Sequence, residues 1–470
     1  MNVPYWLDGL APLSSPLEGR LDVDVLLIGG GLCGASAALA LAEAGVRTAW
    51  LEARTVSSGA SGRNAGFVLQ GTAERYNRAI GVMGRARARA VHAVSRENHR
   101  AMAETRARLG IDCGYMQRGS LQLAGSVEEE RELLESATLL REDGFPAVVR
   151  EGAALDACYR DAGFQVAVHI PDDGELNPAL FVRGVARAAV ERGVHLHEGS
   201  PVLRLDAPAP GEVHAVTPAG EVHASLALVA TNAAAGKLLP FFADKVDPVR
   251  GQMLATAVAP ALFSCPVYAD HGFDYWRQDE HGRIVLGGWR NLDVEGEKGE
   301  DEVLHAGIQA RMTEFLHRFA PLRDVPVTHR WSGTMGFSRD GLPICGTVPG
   351  APGALAAAGF TGHGFGFAFL AGRALVDLAV HGGSTFAELF TPRRFVGGGG
   401  ASGGQRADPP SSPPPPRDAP LRRSRPHPPY ASSGRRSRKV HRSIPTKRAV
   451  SAISRWRRIS LLCSGGSSPS

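Results

Sequence analysis

Residues 28 to 34 read I-G-G-G-L-C-G, and the chain around them leaves few folds open. A GxGxxG spacing (Gly29, Gly31, Gly34) carries weight only between a strand and a helix, with an acidic residue about 20 positions on. All three conditions are met here. The chain is continuously apolar from Val25 to Ile28, as suits a parallel strand buried on both faces. From Leu32 to Ala44 it is rich in Ala and Leu, which predicts a helix that Gly45 can end. A second strand, V-R-T-A-W-L-E, then closes the βαβ unit on Glu52. In such a unit the first glycine permits the tight turn, the second lets backbone approach a pyrophosphate, and the third lets helix pack on strand. The N–H groups at the helix start face phosphate, and Glu52 can accept from a ribose hydroxyl. The unit predicts a dinucleotide site and leaves NAD and FAD open; Glu52 argues only against an NADP 2′-phosphate.

A chain of 470 residues can hold two domains or one large discontinuous one. Its net charge of +5 sums two unlike pieces, because residues 397–470 carry +13 and the remainder −8. The folded part is therefore mildly acidic and shows no nucleic-acid footprint. The 397–470 segment, with V-G-G-G-G-A-S-G-G, S-S-P-P-P-P-R and G-R-R-S-R-K, lacks the apolar content for a core and is expected to be disordered. Three accounts of it stand: a basic arm for nucleic acid or an anionic surface, a passive extension, or a GC-rich gene read out of frame. The six cysteines are scattered and never in CxxC, which fits a reducing compartment. No secretory signal and no continuous apolar span of membrane length is expected, so the expectation is a cytoplasmic protein.

The stretch S-S-G-A-S-G-R-N-A-G-F, residues 57–67, reads as a loop. It follows the strand ending at Glu52, which puts Ser61, Arg63 and Asn64 at the carboxyl edge of a doubly wound sheet, where ligands bind. Helical periodicity runs through 85–108 and 127–143, and a helix begins near Pro178. S-L-A-L-V-A-T-N is a buried strand turning at Thr231, residues 248–286 are strand-like, and a helix is expected around 301–319. His195 and His197 alternate on a strand but find no third ligand at a recognisable spacing, so no metal is expected.

Far downstream stand W-S-G-T-M-G-F-S-R-D-G-L-P-I-C-G from Trp331 and A-A-G-F-T-G-H-G-F-G-F from Ala357. An NAD enzyme has no need of this second Gly-rich strand-to-helix junction. A flavin does, because its ring system lies some distance from the adenine. A helix starting near Phe365 would aim about half a positive charge at the ring and favour its reduced, anionic form.

Together with Y-W-L-D near the start, S-G-A-S-G-R-N-A-G-F and P-V-R-G-Q-M-L, these motifs make the chain resemble the glycine and D-amino-acid oxidase (DAO) superfamily of FAD-dependent oxidoreductases, nearest its γ-glutamylputrescine oxidoreductase-like branch. The resemblance spans about residues 5–385. It implies an α/β protein: a Rossmann-like FAD-binding domain of glutathione-reductase type (1–84, 151–240, 326–396), an inserted α+β substrate domain (85–150, 241–325), and the 397–470 tail. It implies noncovalent FAD at Gly29, Gly31, Gly34 and Glu52, with Ser61, Arg63, Asn64, Ala65 and Gly66 along the flavin. Val202 is expected near the adenine, Thr231 near the pyrophosphate, and Gly341, Leu342, Gly362, His363 and Gly364 near the ring. His363 is the candidate catalytic base, and Arg250, Tyr275 and Trp276 are candidate pocket residues.

The reaction implied is oxidation of an amine C–N bond to an imine by hydride transfer to flavin N5, followed by hydrolysis to a carbonyl compound. Oxygen or another acceptor would take the electrons. Where sarcosine-oxidase-like members carry lysines this chain has Val285 and Gly366, which disfavours direct use of oxygen and a small carboxylate-held amino acid. The alternatives are FAD-dependent oxidation of an amino or hydroxy acid, and a non-enzymatic role binding nucleic acid or an anionic surface through the tail.

Overall fold

A computed structural model describes residues 2–396. The tail expected to be disordered lies outside the described residues. The strand Gly19–Ile28 is central to a sheet ordered Ile344–Val348, Ala351–Ala358, Gly220–Val229, Gly19–Ile28, Thr48–Leu51, His195–His197. All neighbours are parallel except the edge strand Ile344–Val348. A meander of Arg204–Asp206 and Val213–Val216 extends antiparallel from Gly220–Val229.

Both faces of the parallel core are covered, as its apolar strands require. On one side Val25, Leu27 and Leu228 meet the helices Leu32–Glu43, Pro178–Val190 and Gly364–His381; on the other Leu26, Ile28 and Val229 meet Phe242 and Val246. Small residues bring these helices close. A Cβ on Gly372 would lie 2.3 Å from the Cys33 carbonyl oxygen, and Ser36 Oγ donates to the Phe369 carbonyl at 2.6 Å. Gly364–His381 is long and apolar enough to cross a membrane by length and composition, but 67% of it is buried. It is here a core helix.

The second sheet is ordered Val327–Ser338, Val246–Val258, Arg283–Gly288, Asp274–Gln278, Val267–Ala269, Ser120–Leu123, Val166–Ile170, Val148–Glu151. One face packs Trp276, Ile284 and Leu286 against the helix Ala306–Leu316 through Met312 and Phe315. The other turns Met253, Tyr275 and Val285 toward the first sheet.

The expected boundaries do not follow sheet membership. Val166–Ile170 and Val327–Ser338, both placed in the first unit by sequence, are strands of the second sheet. The helix Arg85–Leu109, placed in the second unit, packs through Val91, Ala101 and Met102 on the first core. Periodicity reports which face of an element is apolar and not which core receives it. The helix expected over 301–319 is shorter, Ala306–Leu316. His305 caps it, Nδ1 accepting from Ile308 N at 3.2 Å, while Arg250 and Gln252 hold the carbonyls of Asp301 and Val303 in an extended lead-in.

The two sheets are tied by Arg277, which is fully buried. Its Nε donates to the Ala65 carbonyl at 2.7 Å and its Nη2 to the Leu176 carbonyl at 2.8 Å. Its Nη1 stands 3.3 Å from Glu175 Oε2, an ion pair outside hydrogen-bond geometry. Glu175 belongs to the two-stranded ribbon Phe67–Val68 with Gly174–Glu175 and also pairs with Arg118. Removing one member of a buried pair strands the other's charge at a cost of about 3 kcal/mol or more. Arg277→Met leaves Glu175 with Arg118 alone and takes the donors from the buried Ala65 and Leu176 carbonyls, so it should lose unfolding free energy of that order in urea, and Arg277→Met with Glu175→Leu should recover part of it.

Candidate functional site

Between the sheets lies a cavity of roughly 1530 Å³, larger than the 300–1,000 Å³ or so of an ordinary small-molecule pocket. It runs from the carboxyl end of the first strand to the inner face of the second sheet. At its near end Gly29 takes φ 108°, and a Cβ there would lie 2.6 Å from the Ala230 carbonyl oxygen. Its own carbonyl accepts from Trp50 Nε1 at 2.9 Å. Gly31 precedes the helix and lines the cavity. Gly34 does not line it: a Cβ there would fall 1.9 Å from the Gly29 oxygen, so this glycine sets how closely helix meets strand.

Glu52 directly follows the second strand, Thr48–Leu51, and lines the cavity, as does Val202. Its Oε2 accepts from Gly30 N at 2.5 Å and its Oε1 from Arg54 N at 2.8 Å. Burial raises its pKa above the usual carboxylate value, opposed by those two backbone donors. Across from it the Thr231 hydroxyl lines the cavity, buried and without a protein partner among the described residues.

The 57–66 segment, expected to be a loop throughout, forms the short helix Ala60–Arg63 and folds back on the start of the longer helix. Ser61 Oγ accepts from Leu32 N at 2.9 Å. Asn64 shapes the turn, donating to the Ala60 and Ser61 carbonyls and accepting from Gly66 N at 2.7 Å. Two indoles hold its backbone: Trp6 Nε1 donates to the Asn64 carbonyl at 2.8 Å and Trp331 Nε1 to the Arg63 carbonyl at 2.9 Å. The first contact gives the N-terminal Y-W-L-D a structural reason. Arg63 lines the cavity, but its guanidinium is engaged, bonding the Ser58 and Ser332 carbonyls at 2.8 Å and pairing with Glu302 at 2.9 Å. Ala65 faces the cavity, whereas Gly66 lies behind it at φ 77°, where a Cβ would meet the Leu176 oxygen at 2.2 Å.

The far wall is the second Gly-rich junction. Gly341, Leu342, Gly362, His363 and Gly364 all line the cavity, and the helix starts at Gly364. Burial pushes the His363 imidazole down to about 4, so it is uncharged at neutral pH, and its Nδ1 has no protein partner.

Of the three expected pocket residues only Tyr275 faces the cavity. Trp276 follows it on the same strand and so points to the opposite face, 1% exposed among Phe263, Phe315 and Phe319. Arg250 is also elsewhere. It pairs with Glu297 at 3.5 Å and bonds the carbonyls of Gly296 and Asp301, fastening the 296–301 loop. The Val285 and Gly366 positions differ in the same way: Val285 is buried with Met253 and Trp331, while Gly366 lines the cavity.

Of the remaining lining, Phe67, Tyr268 and Asp173 were not singled out from sequence. Tyr268, Tyr275 and Phe67 form an aromatic wall, the Tyr268 ring 5.6 Å from Tyr275 and 5.4 Å from Phe67. Arg290 lies against two further rings, 5.1 Å from Phe273 and 4.9 Å from Phe337. Among the described residues its guanidinium has no hydrogen bond or salt bridge, and burial lowers its pKa. Asp173 also reaches the cavity; its Oδ1 accepts from Gln70 N at 2.9 Å and its Oδ2 from Ser120 Oγ at 2.6 Å. The one sequence signal for Arg290 is a cation directly after a strand end, I-V-L-G-G-W-R.

Residues 24–378 match the model of the DAO family, described as FAD dependent oxidoreductase. The chain is 27% identical to a probable oxidoreductase OrdL of Rhizobium meliloti (strain 1021), over 80% of this chain and 87% of that one. It is 28% identical to the γ-glutamylputrescine oxidoreductase of Escherichia coli (strain K12), over 77% and 84%. The crystal structure of glycine oxidase from Geobacillus kaustophilus superposes with a TM-score of 0.69 at 26% identity, covering 80% of this chain and 100% of that one. L-proline dehydrogenase from P. horikoshii shares the fold, with a TM-score of 0.66 at 22% identity over 81% and 98%.

Burial pushes the Asp173 carboxyl up to about 7. The folded state then holds this proton more tightly than the unfolded chain. Its contribution to stability is complete below the ordinary carboxylate value of about 3.9 and is lost as pH rises through about 7. The melting temperature of the native protein should thus fall relative to Asp173→Asn between about pH 4 and pH 8. His92 and His99, whose burial works in the opposite sense, are common to both proteins and cancel in the difference.

Proposed function

Because this chain belongs to the DAO family of FAD-dependent oxidoreductases, we propose that it oxidises the carbon next to the nitrogen of an amine, giving an imine that water hydrolyses to a carbonyl compound. The observation that carries this reading is the single cavity joining the two glycine junctions to an aromatic wall. Bound FAD would supply the hydride acceptor for that oxidation.

The residues present fit that cofactor. The Thr231 hydroxyl and His363 Nδ1 are buried polar atoms without protein partners on the cavity wall, and such groups ordinarily have them. Glu52 would accept from ribose hydroxyls, Gly31 would let backbone approach the pyrophosphate, and Val202 would pack against the adenine. The turn at Gly362–Gly364 would present backbone donors and a helix start to the ring. Ser61, Arg63, Asn64 and Ala65 would form the side wall, with Gly34 and Gly66 acting through packing. The only cysteine on the cavity wall among the described residues is Cys33, at the helix start, its thiol pushed up to about 12 by burial. This supports noncovalent binding.

Tyr268, Tyr275 and Phe67 would exclude water and hold an amine by their ring faces. His363, uncharged and weakly basic, would position rather than store a proton. Val285, enclosed by apolar side chains, leaves that position without a cation to assist oxygen, which supports an acceptor other than oxygen. The five described cysteines are all free, in keeping with a reducing compartment such as the cytoplasm.

One observation favours a second reading, an amine that also bears a carboxylate. Arg290 is a cavity-wall guanidinium without a carboxylate partner among the described residues, and a substrate anion would supply one.

Two experiments check these assignments. Gly31→Val should leave soluble protein with little FAD, since its Cβ, 3.0 Å from Ser61 Oγ, would place the branches in the pyrophosphate path; full flavin content would remove the assignment. Anaerobic titration of the holoprotein should bleach the flavin with amines, and bleaching by hydroxy acids alone would overturn the amine reading. With carboxylate-bearing amines, Arg290→Met should raise the half-bleaching concentration about thirtyfold or more, while amines lacking a carboxylate are unaffected.

A further inference from the structure

The antiparallel meander on the first sheet has one face in the core and one in solvent. Val213, Ala215, Val222 and Ala224 go inward, and His214, Glu221 and His223 outward. The register puts His214 directly opposite His223. It continues on both sides, with Asp206 opposite His214 and Asp22 opposite His223. Four strands thus present a row of Asp206, His214, His223 and Asp22.

The two imidazoles stack, centroids 4.4 Å apart and planes 23° from parallel. Both turn Nε2 to one carboxylate: His214 Nε2 is 3.1 Å from Glu221 Oε2 and His223 Nε2 is 3.3 Å from Glu221 Oε1. On the other side of the first ring, His214 Nδ1 stands 4.0 Å from Asp206 Oδ2. One ligand atom from each of His214, Glu221 and His223 falls within 4.8 Å of the others.

We propose that His214, His223 and Glu221 bind a divalent transition-metal ion, best matched by zinc, with Asp206 orienting His214. Two imidazole nitrogens and one carboxylate oxygen suit zinc, at bond lengths of about 2.0–2.2 Å, and water completes a tetrahedron. Closing the cluster to those distances needs only side-chain rotation by half-exposed groups on a fixed strand pair. A carboxylate on the far nitrogen of a ligating histidine fixes its tautomer and raises its basicity, and Asp206 Oδ2, 4.0 Å from His214 Nδ1, would take that role once the pair closes to hydrogen-bond distance. The neighbouring cations do not occupy the ligands. Arg20 pairs with Asp22 at 2.8 Å and Arg204 with Asp206 at 3.0 Å.

The site is independent of the cavity. Asp22 precedes Gly29 by seven residues on one strand, a separation of roughly 23 Å. A bound ion would clip the hairpin whose second strand, Gly220–Val229, leads to Thr231 at the cavity wall.

The test uses the full-length holoprotein, stripped with a chelator and dialysed against Zn²⁺, beside His214→Gln/His223→Gln, Glu221→Gln and Asp206→Asn. Comparison with the double variant is needed because the chain has 16 histidines. The native protein should bind one more tightly held equivalent than the double variant. That equivalent should weaken about tenfold or more in Glu221→Gln and Asp206→Asn, and should be released on acidification as protons compete for the ligands. Co²⁺ in its place should give the intense visible bands of a tetrahedral ion. Flavin content should match across all four proteins, which separates this outcome from any result on the cofactor. Equal stoichiometry and affinity in native and double-variant proteins would overturn the proposal, as would a Co²⁺ complex with only weak octahedral bands.

Discussion

The ion pair between Arg277 and Glu175 is the contact on which the arrangement of the two sheets turns. A guanidinium placed wholly out of water must have its donors met. Here two are met by the carbonyls of Ala65 and Leu176, from the segment before Phe67 and the one leading into the helix at Pro178, and the charge is balanced by Glu175 on the ribbon, an ion pair without hydrogen-bond geometry. Trp6 lies against the same guanidinium, its ring 5.0 Å away. The N-terminal segment, the 57–66 segment and the second sheet therefore share one contact point. The inner face of the second sheet stands over the glycine-rich edge of the first with this contact beside it.

What the cavity does to charge follows from the same exclusion of water. Burial suppresses ionisation on its walls, holding the His363 imidazole down and pushing the Tyr275 phenol up to about 12. Arg290 resists, since guanidinium titrates far above neutrality even when lowered. It is left as a persistent positive charge between aromatic faces, in a medium where electrostatic attraction is stronger than in water. The aromatic wall of the cavity is thus apolar along most of its length and polarised at Arg290.

Much of this was legible in the sequence because it is local. Three glycines between an apolar run and an Ala-rich one specify a strand, a turn and a helix within 20 residues, and the second junction at Thr361–Gly366 does the same. What was lost depended on register and on partners far away in the chain. Tyr275 and Trp276 differ only in parity, and nothing in D-Y-W-R-Q says which face meets ligand and which meets Phe315. Arg250 reads as a pocket cation until Glu297 and the Asp301 carbonyl are seen to consume it. Gly34 and Gly66 match the binding motifs yet serve contacts to backbone oxygens. His214 and His223 sit nine residues apart, a spacing that means nothing until the hairpin turn sets them face to face.

The strand order also governs how this protein emerges from a ribosome. Gly220–Val229 is complete about 130 residues before Ala351–Ala358, the strand that covers its open edge. At 5–20 residues per second that edge waits on the order of 10 s. Val246–Val258 waits similarly for Val327–Ser338. During translation both sheets expose apolar, unpaired strand edges, which are templates for pairing with other nascent chains. Synthesis rate and chaperone supply, rather than the stability of the finished molecule, would then set the yield of soluble protein.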